Sequence, residues 1–189
     1  MASFLAGKRT LVLKGRDEMS GANLKFVADR MLGKLAKYLV MLGSDTLYFT
    51  ENSFAWLIEL SKRQDRVILT RNGKAAKLLP CCDHVLVKDD SPEKQLRQVV
   101  KHFDLPINEQ KFFSRCLRCN RSLEKITVQE ASYRVPPYIQ ATQGDFSSCP
   151  ECGRVYWRGT HCRRMGERLR KLLFAEEDVS PHSSETSAL

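Results

Sequence analysis

The chain has 189 residues, 42% of them hydrophobic, and a formal net charge of +9; this suits one domain with a real core plus a small second one. No apolar run approaches the roughly 18 residues of a membrane span, and residues 1–25, with one short patch at Phe4-Leu5-Ala6 and acids at Asp17 and Glu18, make a poor signal peptide and an ambiguous transit peptide. Seven cysteines, an odd number with four in metal-type pairs, argue against a disulfide scaffold and for a reducing, intracellular compartment. Cytoplasm is the default; nucleus and mitochondrion stay open.

Residues 1–23 show no clear period and are expected to form a loose extension. Residues 24–28 read as a short buried strand ending at Asp29. Residues 31–42 read as a helix, with Met31, Leu32, Leu35, Ala36, Leu39, Val40 and Leu42 on one broad apolar face. Gly43 stops it, in the position beyond a helix end that glycine favours. A strand at 46–49, a helix at 53–62, a strand at 67–70, a short helix at 74–79 and a strand at 84–88 follow. Pro92 opens a further helix to about Phe103, because proline is favoured at the first helical position. The alternation predicts a parallel three-layer α/β domain over 24–104.

Residues 104–110, with Pro106, suit a linker. Two Cys-x-x-Cys pairs come next, Cys116/Cys119 and Cys149/Cys152. Four soft ligands in two knuckles predict a structural Zn²⁺ held tetrahedrally, in a small module over 111–160. Gly153 suits the tight turn after the second knuckle. Residues 161–174 read as a basic helix, and 175–189, with four acids and no Lys or Arg, as a disordered acidic tail. Cys81, Cys82 and Cys162 are expected to be buried thiols.

In open parallel sheets, functional groups gather beyond the carboxyl ends of the strands. There the sequence places Asp29, Glu51, Asn72, Asp89 and Asp90. Converging carboxylates can hold Mg²⁺ or Mn²⁺, which activates water against a phosphodiester; Asn72 would be a weaker, neutral ligand. Strand-end aspartates also cap helices, and Asp29 is placed to do so for 31–42. Arg30, Lys34 and Lys37, spaced i, i+4, i+7, share one helix face beside these acids, with Arg71 close by. That stripe suits an RNA backbone, or is simply a solvated face.

Residues 111–174 carry 13 Lys/Arg against 5 Asp/Glu, a surface suited to a polyanion. Arg118 lies within the first knuckle, and Arg154, Trp157 and Arg158 follow the second. Basic and aromatic groups together can hold single-stranded RNA through phosphate contact and base stacking; Trp157 could equally pack the module's core. Four thiolates complete a tetrahedron, so His161 is expected to hydrogen-bond or face RNA rather than bind metal.

The stretches Phe26-Val27-Ala28-Asp29-Arg30-Met31-Leu32-Gly33-Lys34-Leu35-Ala36-Lys37, Met41-Leu42-Gly43-Ser44-Asp45-Thr46 and Ile68-Leu69-Thr70-Arg71 closely resemble the Mut-seven C-terminal RNase domain family. Ser114 to Asn120, Arg134-Val135-Pro136-Pro137 and Cys149 to His161 are similar to that family's zinc ribbon. The resemblance implies a PIN-like nuclease domain with a mainly parallel sheet, followed by a Cys₄ zinc ribbon. It implies a metal-dependent ribonuclease in which Asp29 is the first acid, Glu51 an acid before the second helix, and Asp89 and Asp90 lie near a late acidic position. The family usually has Thr-Arg-Asp where this chain has Thr70-Arg71-Asn72, so the alternative is a weak or inactive RNA-binding module. A third reading is an adaptor that docks proteins through the ribbon. Asp45 matches the family at a strand start and reads as structural.

Overall fold

The structure, a computed structural model, describes residues 24–73 and 82–174. The expected extension at 1–23, the helix at 74–79, Cys81 and the acidic tail at 175–189 lie outside the described residues. Four strands, β1 (Lys25–Ala28), β2 (Asp45–Tyr48), β3 (Val67–Thr70) and β4 (His84–Leu86), form one parallel sheet in the order β2-β1-β3-β4. Phe26, Val27 and Ala28 are all fully buried. Such an unbroken apolar run is what a parallel strand covered on both faces requires.

The sheet lies between helices. Phe26, Ala28, Val67 and Leu69 point into the larger core with Leu35 and Leu39 of α1 (Gly33–Met41), and Leu96 and Val99 of α3 (Pro92–His102). Val27 and Ile68 point the other way, onto Leu57 of α2 (Phe54–Gln64). Each fully buried leucine contributes about 2 kcal/mol by area, so the large core on the α1 side dominates stability.

The helix expected over 31–42 is divided. A 3₁₀ turn, Arg30–Leu32, comes first and α1 starts at Gly33. The cause is Asp29, whose carboxylate accepts the Met31 N–H at 2.9 Å and tightens the first turn. Ser53 and Ser91 cap α2 and α3 in the same way, with Pro92 at the start of α3.

A second, antiparallel sheet, β5 (Glu124–Ile126), β6 (Phe146–Ser148) and β7 (Val155–Trp157), carries the cysteine knuckles. Two short helices, α4 (Val128–Ser132) and α5 (Pro137–Thr142), cover it around Ala131, Val135, Ile139 and Phe146. The last described helix, α6 (Thr160–Phe174), returns to the first domain. Leu169 is buried in the large core, and the Arg97 side chain donates to the Leu172 carbonyl at 2.8 Å. The helix read from sequence as basic is also amphipathic, with its apolar stripe closing the α/β core. Cys82 and Cys162 are half-buried rather than buried.

Candidate active site and zinc ribbon

β1 ends at Asp29, whose N–H still bonds the Leu69 carbonyl of β3 at 2.9 Å. The Asp29 side chain is only 6% exposed. One oxygen accepts from Met31 N–H; the other accepts from the Thr70 hydroxyl and from the Arg71 N–H at 3.2 Å. Thr70 Oγ1 in turn accepts the Asn72 N–H at 3.0 Å. The loop after β3 thus wraps around Asp29. β1 has β2 on one side and β3 on the other, so the connections diverge here and open the crevice at which α/β sheets bind ligands.

The other expected residues sit at this end but are dispersed. Arg71 is ion-paired with Asp90. Asp89 accepts the Ser91 N–H at 3.0 Å and faces Lys94 at 3.9 Å, so it helps to start α3. Glu51 and Asn72 are exposed. Among the described residues, the four cysteines are the only group of three or more His, Cys, Asp or Glu whose ligand atoms lie within 4.8 Å of one another. The acids as placed do not fit a divalent ion: both Asp29 oxygens accept from protein donors, and Asp90 faces a guanidinium.

Arg30, Lys34 and Lys37 are exposed. Arg30 lies in the 3₁₀ turn, so only Lys34 and Lys37 share the α1 surface in regular helical register. Sequence reasoning missed Tyr48. It pairs with Ala28 in the sheet register, its hydroxyl donates to the Arg30 carbonyl at 2.9 Å, and its ring covers Gly33. A Cβ at Gly33 would lie 3.0 Å from that ring. The glycine inside a helical pattern was the available signal.

The four cysteines expected to hold zinc are brought together. Cys116 and Cys149 are buried, Cys119 and Cys152 half-buried. Cys116 and Cys152 sulfurs are 3.7 Å apart, close to the roughly 3.8 Å edge of a tetrahedron with 2.3 Å Zn–S bonds. The knuckles repeat one backbone pattern. Cys116 N–H bonds Arg121 O and Asn120 N–H bonds Cys116 O; Cys149 N–H bonds Arg154 O and Gly153 N–H bonds Cys149 O. Asn120 (φ 61°) and Gly153 (φ 69°) hold the matching left-handed positions. Burial pushes the Cys116 thiol up, but hydrogen bonds from Tyr156 and from the Cys119 and Arg118 backbone bring it down to about 6. Desolvation and the Cys152 and Cys116 sulfurs push Cys119 up to about 12. Four crowded sulfurs resist joint ionisation, which a bound dication would relieve.

The ribbon is locked to the sheet by Asn120. Its side-chain oxygen accepts the Thr46 N–H at 3.1 Å and its amide donates to Asp45 at 2.6 Å. Asp45 also pairs with the buried Arg66 at 2.6 Å. These residues stand at the amino ends of the strands, opposite Asp29. Four residues at about 3.3 Å each put on the order of 13 Å between the two ends.

Trp157, Arg158 and His161 line one cleft of about 630 Å³ at the seam between ribbon and α/β domain, with Phe113, Tyr156 and Met165. Trp157 packs against the ribbon core, and it also lines the cleft. Arg118 and Arg154 are exposed on the knuckles, outside this cleft.

A family model described as Mut7-C RNAse domain matches residues 24–169. That range takes in both sheets and most of α6. No curated protein and no solved structure matches the chain.

Proposed function

The chain belongs to the Mut7-C RNAse domain family, and from that membership we propose that it is a ribonuclease, hydrolysing RNA phosphodiester bonds in the crevice beyond β1 and β3. The observation that carries the reading is Asp29, a buried carboxylate held at the switch point of a parallel sheet by donors from three residues. Exposed Arg30, Lys34 and Lys37 beside it supply cations for an RNA backbone. Mg²⁺ or Mn²⁺ is the expected cofactor of such hydrolysis. Glu51, Asp89 and Asp90, which follow the carboxyl ends of the other strands, are the acids proposed to act with Asp29.

A second reading is favoured by Asn72 and by the dispersal of the acids: an RNA-binding module with little or no hydrolysis. Cleavage of single-stranded and structured RNA with Mn²⁺, wild type against Asp29→Asn, separates them. A ribonuclease loses activity on the substitution. Equal cleavage by both proteins removes Asp29 from the chemistry, and binding without cleavage by either favours the module. Asn72→Asp should raise activity or leave it unchanged; a clear loss would mean that the crevice is arranged differently.

A further inference from the structure

The seam cleft has features that neither zinc binding nor the Asp29 crevice requires. Its volume, about 630 Å³, falls in the range of small-molecule sites, which often form at domain interfaces. Phe113 lines it from a left-handed backbone conformation, φ 58°, which bulky residues rarely adopt. Surrounding structure holds it there: its N–H bonds the Met41 carbonyl at 2.8 Å, and its ring faces Gly166 of α6. Trp157 is fixed as well, because its indole covers Gly159, where a Cβ would lie 3.0 Å from Nε1. Two aromatic rings are thus presented in set positions, which lowers the ordering cost of stacking a flat ligand on them.

The charge around these rings selects the occupant. Lys125 and Arg158 line the cleft against a single acid, Asp145, while Arg115, also in the lining, donates to the Gly43 and Asn120 carbonyls. An apolar peptide has no use for the two remaining cations, whereas RNA offers a base to the rings and phosphates to the basic rim. Cleft and crevice lie toward the two ends of α1. Met41, the last residue of α1, lines the cleft, while Asp29 precedes the other end of the same helix, and Lys34 and Lys37 are exposed between them.

We propose that the seam cleft is a base-binding subsite, taking an unpaired nucleobase of single-stranded RNA against Phe113 and Trp157, with adjacent phosphates on Lys125 and Arg158. This rests on the RNA-directed reading above and extends it: the strand is gripped at the ribbon seam and runs along α1 to Asp29.

The test uses the full zinc-loaded chain carrying Trp56→Phe, which leaves Trp157 as the sole tryptophan. A labelled single-stranded oligoribonucleotide is titrated by anisotropy while Trp157 emission is followed, and the titration is repeated with an abasic strand of the same length. The expected result is quenching by the normal strand, and about tenfold weaker binding without quenching by the abasic one. Phe113→Gly keeps the left-handed backbone and removes the ring; it should weaken the normal strand about tenfold and leave the abasic strand unchanged. Binding without quenching, with equal affinity for both strands, overturns the subsite and leaves the RNA-directed reading standing. Absence of any anisotropy change overturns both. A change in Trp157 emission on concentrating the protein alone assigns the cleft to a second copy of the chain and overturns the proposal.

Discussion

Asp45 shows what one residue can hold together. It stands where β2 begins, receives the buried Arg66 guanidinium, and accepts the Asn120 amide from the ribbon. Burial pushes its carboxyl up, but the bonds from Arg66 and Asn120 and the charges of Arg66 and Arg115 bring it below its ordinary 3.8. A depressed carboxyl stabilises the fold fully above that ordinary value and loses the effect as pH falls through the folded-state value. Asp45→Asn should therefore cost about 2 kcal/mol at pH 7, because it leaves Arg66 without its counter-charge. In urea titrations the gap from wild type should shrink at pH 3; a constant gap would refute the linkage. Gly43 is the second residue at which little can change. It has φ 88°, and a Cβ would sit 2.6 Å from the Lys111 carbonyl oxygen. Gly43→Ala meets both a conformational penalty and a backbone clash, so a loss of more than about 2 kcal/mol is expected from the denaturation midpoint.

Among the elements, the ribbon depends most on a ligand. Its core rests on four residues, Ala131, Val135, Ile139 and Phe146, too few to stabilise three short strands without metal. The protein should bind one zinc ion per chain, measurable by elemental analysis, and Cys149→Ser should abolish it. Chelation should remove amide protection from β5, β6 and β7 in hydrogen exchange while β1 and β3 stay protected. Equal loss in both sheets would mean that the ribbon holds up the whole fold. α6 belongs energetically to the other sheet, through Leu169, although it follows the ribbon in sequence.

For the whole molecule, the consequence is two candidate regions on opposite ends of one sheet. Asp29 lies at the carboxyl ends and the zinc knuckles dock at the amino ends. A bound strand reaching both must cross α1, where Lys34 and Lys37 are exposed. RNA affinity should fall steeply with salt, and Lys34→Glu with Lys37→Glu should lower the log–log slope by about 0.7 for each phosphate that is no longer neutralised. An unchanged slope would place the RNA elsewhere. No helix among the described residues is long and apolar enough to cross a membrane.

Much of this was legible in the residues because it is local. The unbroken apolar strands, Pro92 and Gly43 each act within a few positions, and pattern reports them directly. The paired knuckles announced zinc because a tetrahedron needs four thiolates in two turns. What depends on distant partners was not legible. That Asn120 would serve both as the left-handed residue of a knuckle and as the clamp on Asp45 needs a hydrogen bond across 75 positions. The division of the acids is of the same kind: Asp90 faces Arg71, and Asp29 is bound into the loop after β3, because the order β2-β1-β3-β4 decides which strand ends meet. By itself, the sequence determined the alternation of strands and helices in the first domain, the four-cysteine cluster and the family. Only the tertiary structure decided that the ribbon docks at the far end of the sheet from Asp29 and opens an aromatic cleft there, since side chains from separate segments converge only once the cores have closed.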